Sequence, residues 1–189
     1  MKIGLYFGSF NPVHIGHLII ADHIANHTDC SQVWLVVSPQ NPLKPSSVLL
    51  NEYHRLHLVN LAIEGNSKLK VSDIEFKLPK PSYTIDTLAY LKEKYPDHSF
   101  VIILGSDSFQ NLPRWKNFRQ LIDNYEFLIY ERPEHPVINM HEAKCTIVKA
   151  PLLQISSTEI RKNIKDGKSI KYLVPEKVVN EIELAGYYK

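Results

Sequence analysis

Cysteine is nearly absent: only Cys30 and Cys145 occur in 189 residues, far apart and in no Cys-x-x-Cys pattern. That excludes a disulfide framework and a cysteine-built zinc site as organising devices. No apolar run approaches the ~20 residues that a membrane span requires. The segment MKIGLYFGSF passes at once from apolar to polar and turn residues, unlike a signal peptide, so a cytoplasmic protein with no membrane partner is expected. Neither sign of charge is in excess. The 22 Lys and Arg against 20 Asp and Glu leave +2, which makes no case for nucleic acid as a partner. Repeats, low-complexity segments and a dividing linker are lacking as well, so residues 1–189 read as a single domain with a real core. A homo-oligomer is compatible with the sequence and not demanded by it.

What is present is an alternation of strand-like and helix-like segments. Ile3–Phe7, Val33–Val37, Leu69–Val71, Phe100–Leu104, Phe127–Tyr130 and Thr146–Val148 are short apolar runs bounded by turn residues. Helical spacing marks Ile15–Asn26, Asn51–Ile63, Tyr83–Tyr95, Ser157–Ile164 and Pro175–Ala185. Alternation of this kind predicts an α/β fold with a parallel sheet covered on both faces. Such sheets bind ligands outside the carboxyl ends of their strands. The places to search are therefore Gly8–His17, Ser38–Pro45, Gly105–Asp107 and the loop before Ser156.

The first of these reads Gly8-Ser9-Phe10-Asn11-Pro12-Val13-His14-Ile15-Gly16-His17. Gly8 lets the backbone approach a ligand closely. Gly16 leaves room for a phosphate or base against the start of the helix. The helix N-terminus offers unpaired N–H groups and a partial positive charge. His14 and His17, three apart, share one side of a helical turn and can donate to phosphate oxygens, more strongly if protonated. A metal pair or plain surface histidines are the competing readings, but no spacing marks a third metal ligand. Far downstream, Ile155-Ser156-Ser157-Thr158-Glu159-Ile160-Arg161 combines hydroxyls, a helix start and a guanidinium. A capped helix alone would explain Ser156 and Glu159 as a capping box; Arg161 one turn in makes a polyphosphate cradle of it.

GSFNPVHIGHL resembles the G-[ST]-F-[DN]-P-x-H-x-G-H signature of the nucleotidyltransferase superfamily, and ISSTEIR resembles its second signature. Over nearly its full length the chain is similar to the bacterial nicotinate-nucleotide adenylyltransferases. The resemblance implies a Rossmann-like, doubly wound sheet, magnesium-ATP as donor and nicotinate mononucleotide as acceptor. It implies that Gly8, Ser9, Phe10, His14, Gly16, His17, Gly105, Asp107, Ile155, Ser156, Ser157, Thr158 and Arg161 meet ATP. Asn11, Lys44, Ser82, Tyr83, Thr84, Asp107 and Trp115 would meet the acceptor, with His14, His17, Lys44 and Arg161 supplying the catalytic positive field. Lys44, in NPLKP, is by itself only a loop lysine. Arg55 is a surface charge, or by resemblance a neighbour of the substrate phosphates or part of an ion pair.

PSYTIDTL opens a helix with Thr84 a plausible N-cap, and resembles the segment that binds the nicotinate carboxylate in that family. Asp107 reads as a helix cap or, by resemblance, a nucleotide contact; Trp115 reads as core or as a ring stacked near the pyridine. No carboxylate cluster is dedicated to Mg²⁺, so the metal is expected to arrive on ATP phosphates and waters. Direct displacement is implied, the acceptor phosphate attacking the α-phosphorus of ATP. Another phosphorylated acceptor such as nicotinamide mononucleotide or phosphopantetheine, a non-catalytic nucleotide-binding protein, and a metal-dependent hydrolase using the two histidines are the alternatives.

Overall fold

The computed structural model describes residues 1–40 and 49–189. Six strands, β1 (Lys2–Gly8), β2 (Gln32–Val37), β3 (Leu69–Ser72), β4 (Ser99–Gly105), β5 (Glu126–Tyr130) and β6 (Cys145–Val148), form one sheet in the order β3-β2-β1-β4-β5-β6. Every pairing is parallel. The helices are α1 (Ile15–His27), α2 (Glu52–Ile63), α3 (Thr84–Lys94), α4 (Ser106–Gln110), α5 (Phe118–Asn124), α6 (Ser157–Lys165) and α7 (Glu176–Ala185).

The strands are apolar on both sides because both sides are covered. In β2, Val33, Leu35 and Val37 enter a core shared with Ile20 and Ile24 of α1, Leu58 of α2, Ile160 of α6 and Val178 of α7. The alternate residues Trp34 and Val36 enter a second core with Leu88 and Leu91 of α3, Phe109 of α4 and Leu121 of α5. Period-2 alternation along each strand thus feeds two cores, which is what doubly wound means physically. Among the described residues no helix is long and apolar enough to cross a membrane.

Every expected strand and helix forms, with ends differing by a residue or so. Asn51, Tyr83 and Pro175 are caps rather than first helical residues. A helix at Asp107 is expected only from its capping residue type; α5 and the 3₁₀ turns Ile74–Lys77 and Leu112–Arg114 are not expected at all, since pieces this short carry too few residues to show a period. The order of strands reverses between β1 and β4. Their carboxyl ends, Gly8 and Gly105, therefore open on the crevice where such sheets take ligands.

Candidate active site

The turn after β1 is built tightly. A Cβ on Gly8 would lie 2.7 Å from Cζ of Phe10, so no other residue fits under that ring. Phe10 is 2 % exposed and holds φ +45°, a strained backbone for a large side chain. Its ring meets Tyr6 at 5.8 Å and His17 at 5.1 Å, both edge to face, and that packing keeps the strained turn in place. His14 caps α1, and its imidazole stacks on that of His17 with centroids 3.6 Å apart. A Cβ on Gly16 would lie 3.1 Å from His14 Nδ1, so Gly16 makes room for the imidazole as well as for a ligand.

The two histidines are not equivalent. His14 N–H donates to His17 Nδ1 at 3.2 Å, which leaves the proton of neutral His17 on Nε2. His14 is 7 % exposed, and its Nδ1 has no hydrogen-bond partner among the described residues. Burial, helped by the nearby Arg132 charge, pushes its pKa down from 6.5 to about 4. In the ligand-free protein His14 is therefore a neutral hydrogen-bonding group, not the cation that the sequence left open.

ISSTEIR is fastened directly to this turn. Ser156 caps α6, accepting from Glu159 N–H at 3.1 Å; only this half of the expected capping box forms. Ser157 Oγ donates to the carbonyl of Pro12 at 2.9 Å, and Arg161 Nη1 to that of Asn11 at 2.7 Å. Arg161 Nη2 also donates to Thr158 Oγ1 at 3.3 Å. Asn11 Oδ1 in turn accepts from Leu50 N–H at 3.1 Å. The two signatures thus form the facing walls of one cavity of about 870 Å³, lined by Asn11, His14, Gly16, His17, Ile155–Thr158 and Arg161, with Leu152 and Leu153 at its edge.

A second cavity, of about 520 Å³, lies on the other side of the turn. Gly8, Phe10, Gly105 and Asp107 line this cavity and not the larger one, and with them stand Ser82, Tyr83, Thr84 and Trp115. Tyr83, not Thr84, occupies the cap of α3, through its backbone; Thr84 is the first helical residue. The ammonium of Lys116 sits 4.8 Å over the Tyr83 ring and 2.8 Å from Asp86. Half-buried Trp115 packs against the second core while facing the cavity. Asp107 does not cap α4 either: Gly105 does, and a Cβ there would come within 2.6 Å of Asp107 Oδ1.

The cavities share five residues: Tyr6, Ser9, His17, Tyr130 and Arg132. Arg132 was not foreseen. Its Nε lies 3.3 Å from Asp107 Oδ1, its Nη2 donates to Tyr130 OH at 3.3 Å, and its N–H donates to Ser106 Oγ at 2.8 Å. Tyr130 OH meets Tyr6 OH at 3.2 Å. The signal was available, because Arg132 follows the carboxyl end of β5, a strand end of the kind that binds ligands. Ser9 Oγ at the same junction is buried and has no hydrogen-bond partner among the described residues.

Arg55 is not the surface charge that the sequence alone suggests. It is 0 % exposed and makes no ion pair among the described residues. Instead it donates to the carbonyls of Leu50, Ser9, Ser38 and Pro39 at 2.5–3.0 Å, clamping the loops after β1 and β2. Lys44 lies outside the described residues. Among the described residues no three His, Cys, Asp or Glu side chains are grouped to hold a metal ion.

The cytidylyltransferase-like family model matches residues 5–163. A protein of Flavobacterium psychrophilum named "Probable nicotinate-nucleotide adenylyltransferase" is 52% identical over 192 residues, covering 100% of both chains. One of the same name from Cytophaga hutchinsonii is 51% identical, covering 100% of this chain and 98% of its own. The fold matches the Plasmodium falciparum nicotinic acid mononucleotide adenylyltransferase complexed with NaAD at a TM-score of 0.85 and 26% identity, over 99% of this chain and 97% of that one.

Proposed function

The chain belongs to the cytidylyltransferase-like family and, within it, to the nicotinate-nucleotide adenylyltransferases, and from that membership we propose how its two cavities divide the reaction. The reaction moves the adenylyl group of ATP onto the phosphate of nicotinate mononucleotide, giving deamido-NAD and pyrophosphate in NAD synthesis. In our reading ATP lies in the larger cavity, between the histidine turn and ISSTEIR. Nicotinate mononucleotide lies in the smaller one, its ring toward Trp115 and its carboxylate toward the start of α3. The observation that carries this reading is the shared wall. His17, Ser9 and Arg132 line both cavities, so a phosphate from each side meets there.

The acceptor phosphate is already an anion near neutral pH and needs no base to attack. One of its oxygens bonds to the α-phosphorus as the bond from that phosphorus to the bridging oxygen breaks, and the electron pair departs with pyrophosphate. The protein's part is to hold two anions together and to neutralise the charge that builds on the departing oxygens. Arg161, Arg132 and Lys44 supply cations; His14 and His17 supply ring N–H donors. Magnesium enters as part of the substrate, on the ATP phosphates and waters.

The test is pyrophosphate release with ATP and, separately, nicotinate mononucleotide, nicotinamide mononucleotide and phosphopantetheine. Nicotinate mononucleotide gives the highest kcat/KM. Faster turnover of phosphopantetheine would overturn the acceptor assignment, and no turnover of any would overturn the division of the cavities as a catalytic arrangement.

A further inference from the structure

Glu75 has no part in the chemistry just described, yet it lines the smaller cavity and is only 2 % exposed. It sits in the 3₁₀ turn Ile74–Lys77, just past β3. No cation pairs with it among the described residues; its hydrogen bonds come from hydroxyls. Ser82 Oγ donates to Oε2 at 2.6 Å and Thr87 Oγ1 to Oε1 at 3.0 Å, and the Ser38 hydroxyl bonds the same carboxyl. Burying a carboxylate this deeply costs free energy, and burial indeed pushes its pKa above 4.5. Stability alone is a poor reason to keep such a group, since apolar residues would fill the space more favourably.

What the carboxylate joins is informative. Ser38 follows β2, Ser82 opens the segment that lines the smaller cavity, and Thr87 lies in the first turn of α3. Ser82 donates to Glu75, and Thr87 Oγ1 has its one hydrogen between Glu75 Oε1 at 3.0 Å and the Tyr83 carbonyl at 3.2 Å, so neither hydroxyl hydrogen is left for a ligand. The N–H groups of Thr84 and Ile85, which have no partner among the described residues, then remain as the donors an anion meets. Asp86 N–H and Thr87 N–H are already spent on the carbonyl of Tyr83 at 3.0 and 3.1 Å, so the turn is held in one shape.

We propose that Glu75 is a positioning residue for the acceptor: it locks Ser82 and Thr87 so that the start of α3 presents its N–H groups to the carboxylate of the pyridine mononucleotide. This rests on the acceptor assignment above. Glu75→Gln keeps the shape but puts an amide N–H₂ where a hydroxyl donor expects an acceptor. It raises the KM for nicotinate mononucleotide about tenfold, the scale of one hydrogen bond to a charged group. The KM for ATP and the melting temperature stay near wild type, and the preference for nicotinate over nicotinamide mononucleotide narrows. Thr87→Val, which leaves Glu75 in place and changes a residue that does not line the cavity, gives the same acceptor-only change at smaller size and stands in should Glu75→Gln unfold. Equal losses toward both substrates, or an unchanged acceptor KM in both variants, would overturn the proposal. Failure of the wild type to use nicotinate mononucleotide would instead strike the acceptor assignment.

Discussion

The two cavities are built by opposite means. On the proposed ATP side His14 Nδ1 is buried and unpaired among the described residues, as is Ser9 Oγ at the wall between the two cavities. On the proposed acceptor side Asp107 Oδ1 has only its ion pair with Arg132, but Glu75 is bonded by Ser82 and Thr87, and the loops behind are held by the four bonds of Arg55. An unpaired buried group costs stability and persists where a ligand completes it. A saturated network holds a shape and contributes nothing further to a ligand. The contrast separates groups that act on substrate from groups that aim others.

The largest effect expected from this contrast is kinetic. His17→Ala and His14→Ala each lower kcat by roughly 10²–10³, as loss of a preorganised donor does elsewhere, while the denaturant midpoint barely moves in His14→Ala and falls modestly in His17→Ala, where Phe10 loses a ring contact. Pyrophosphate release at saturating ATP and acceptor measures the first, and urea titration the second. Near-normal turnover in His17→Ala would break the comparison, as would unfolding of His14→Ala.

Arg55→Ala reverses the pattern. Four carbonyls lose a donor at a site that is 0 % exposed, so stability falls by about 3 kcal/mol. Lysine does not rescue it, because a single ammonium lacks the forked geometry that reaches four carbonyls. Guanidinium unfolding of both variants checks this. An Arg55→Ala protein of wild-type stability with a purely catalytic defect would move Arg55 into the reacting set.

A smaller effect concerns pH. The folded pKa of His14, about 4, lies below its ordinary 6.5, so folding favours the neutral ring. The corresponding stability is fully present above pH 6.5 and is lost as pH falls from 6.5 through 4, on the order of 2–3 kcal/mol. Replacing His14 by Gln flattens that part of the stability–pH curve. The difference between the two proteins in urea midpoint at pH 7 and at pH 4.5 measures it, and parallel curves would show that the ring is not desolvated as described.

Much of this protein is set by the order of its residues along the chain. Apolar runs and helical spacing specify the six strands and the five longer helices, because those periods arise from local backbone geometry. The Gly8–His17 and Ile155–Arg161 segments announce a phosphate site for the same reason: caps, helix starts and i,i+3 pairs need only near neighbours. Tertiary structure alone decided the rest. That His14 is neutral follows from its burial; that Arg55 is a clamp and Glu75 a bracket follows from partners up to 46 residues away. Arg132 stands between the cavities because β4 and β5 lie side by side and bring it against Asp107 and Ser106. Spacing within a segment encodes which groups can act together locally. Desolvation, and the pairing of polar groups from distant segments, exist only once the sheet and its two cores have closed.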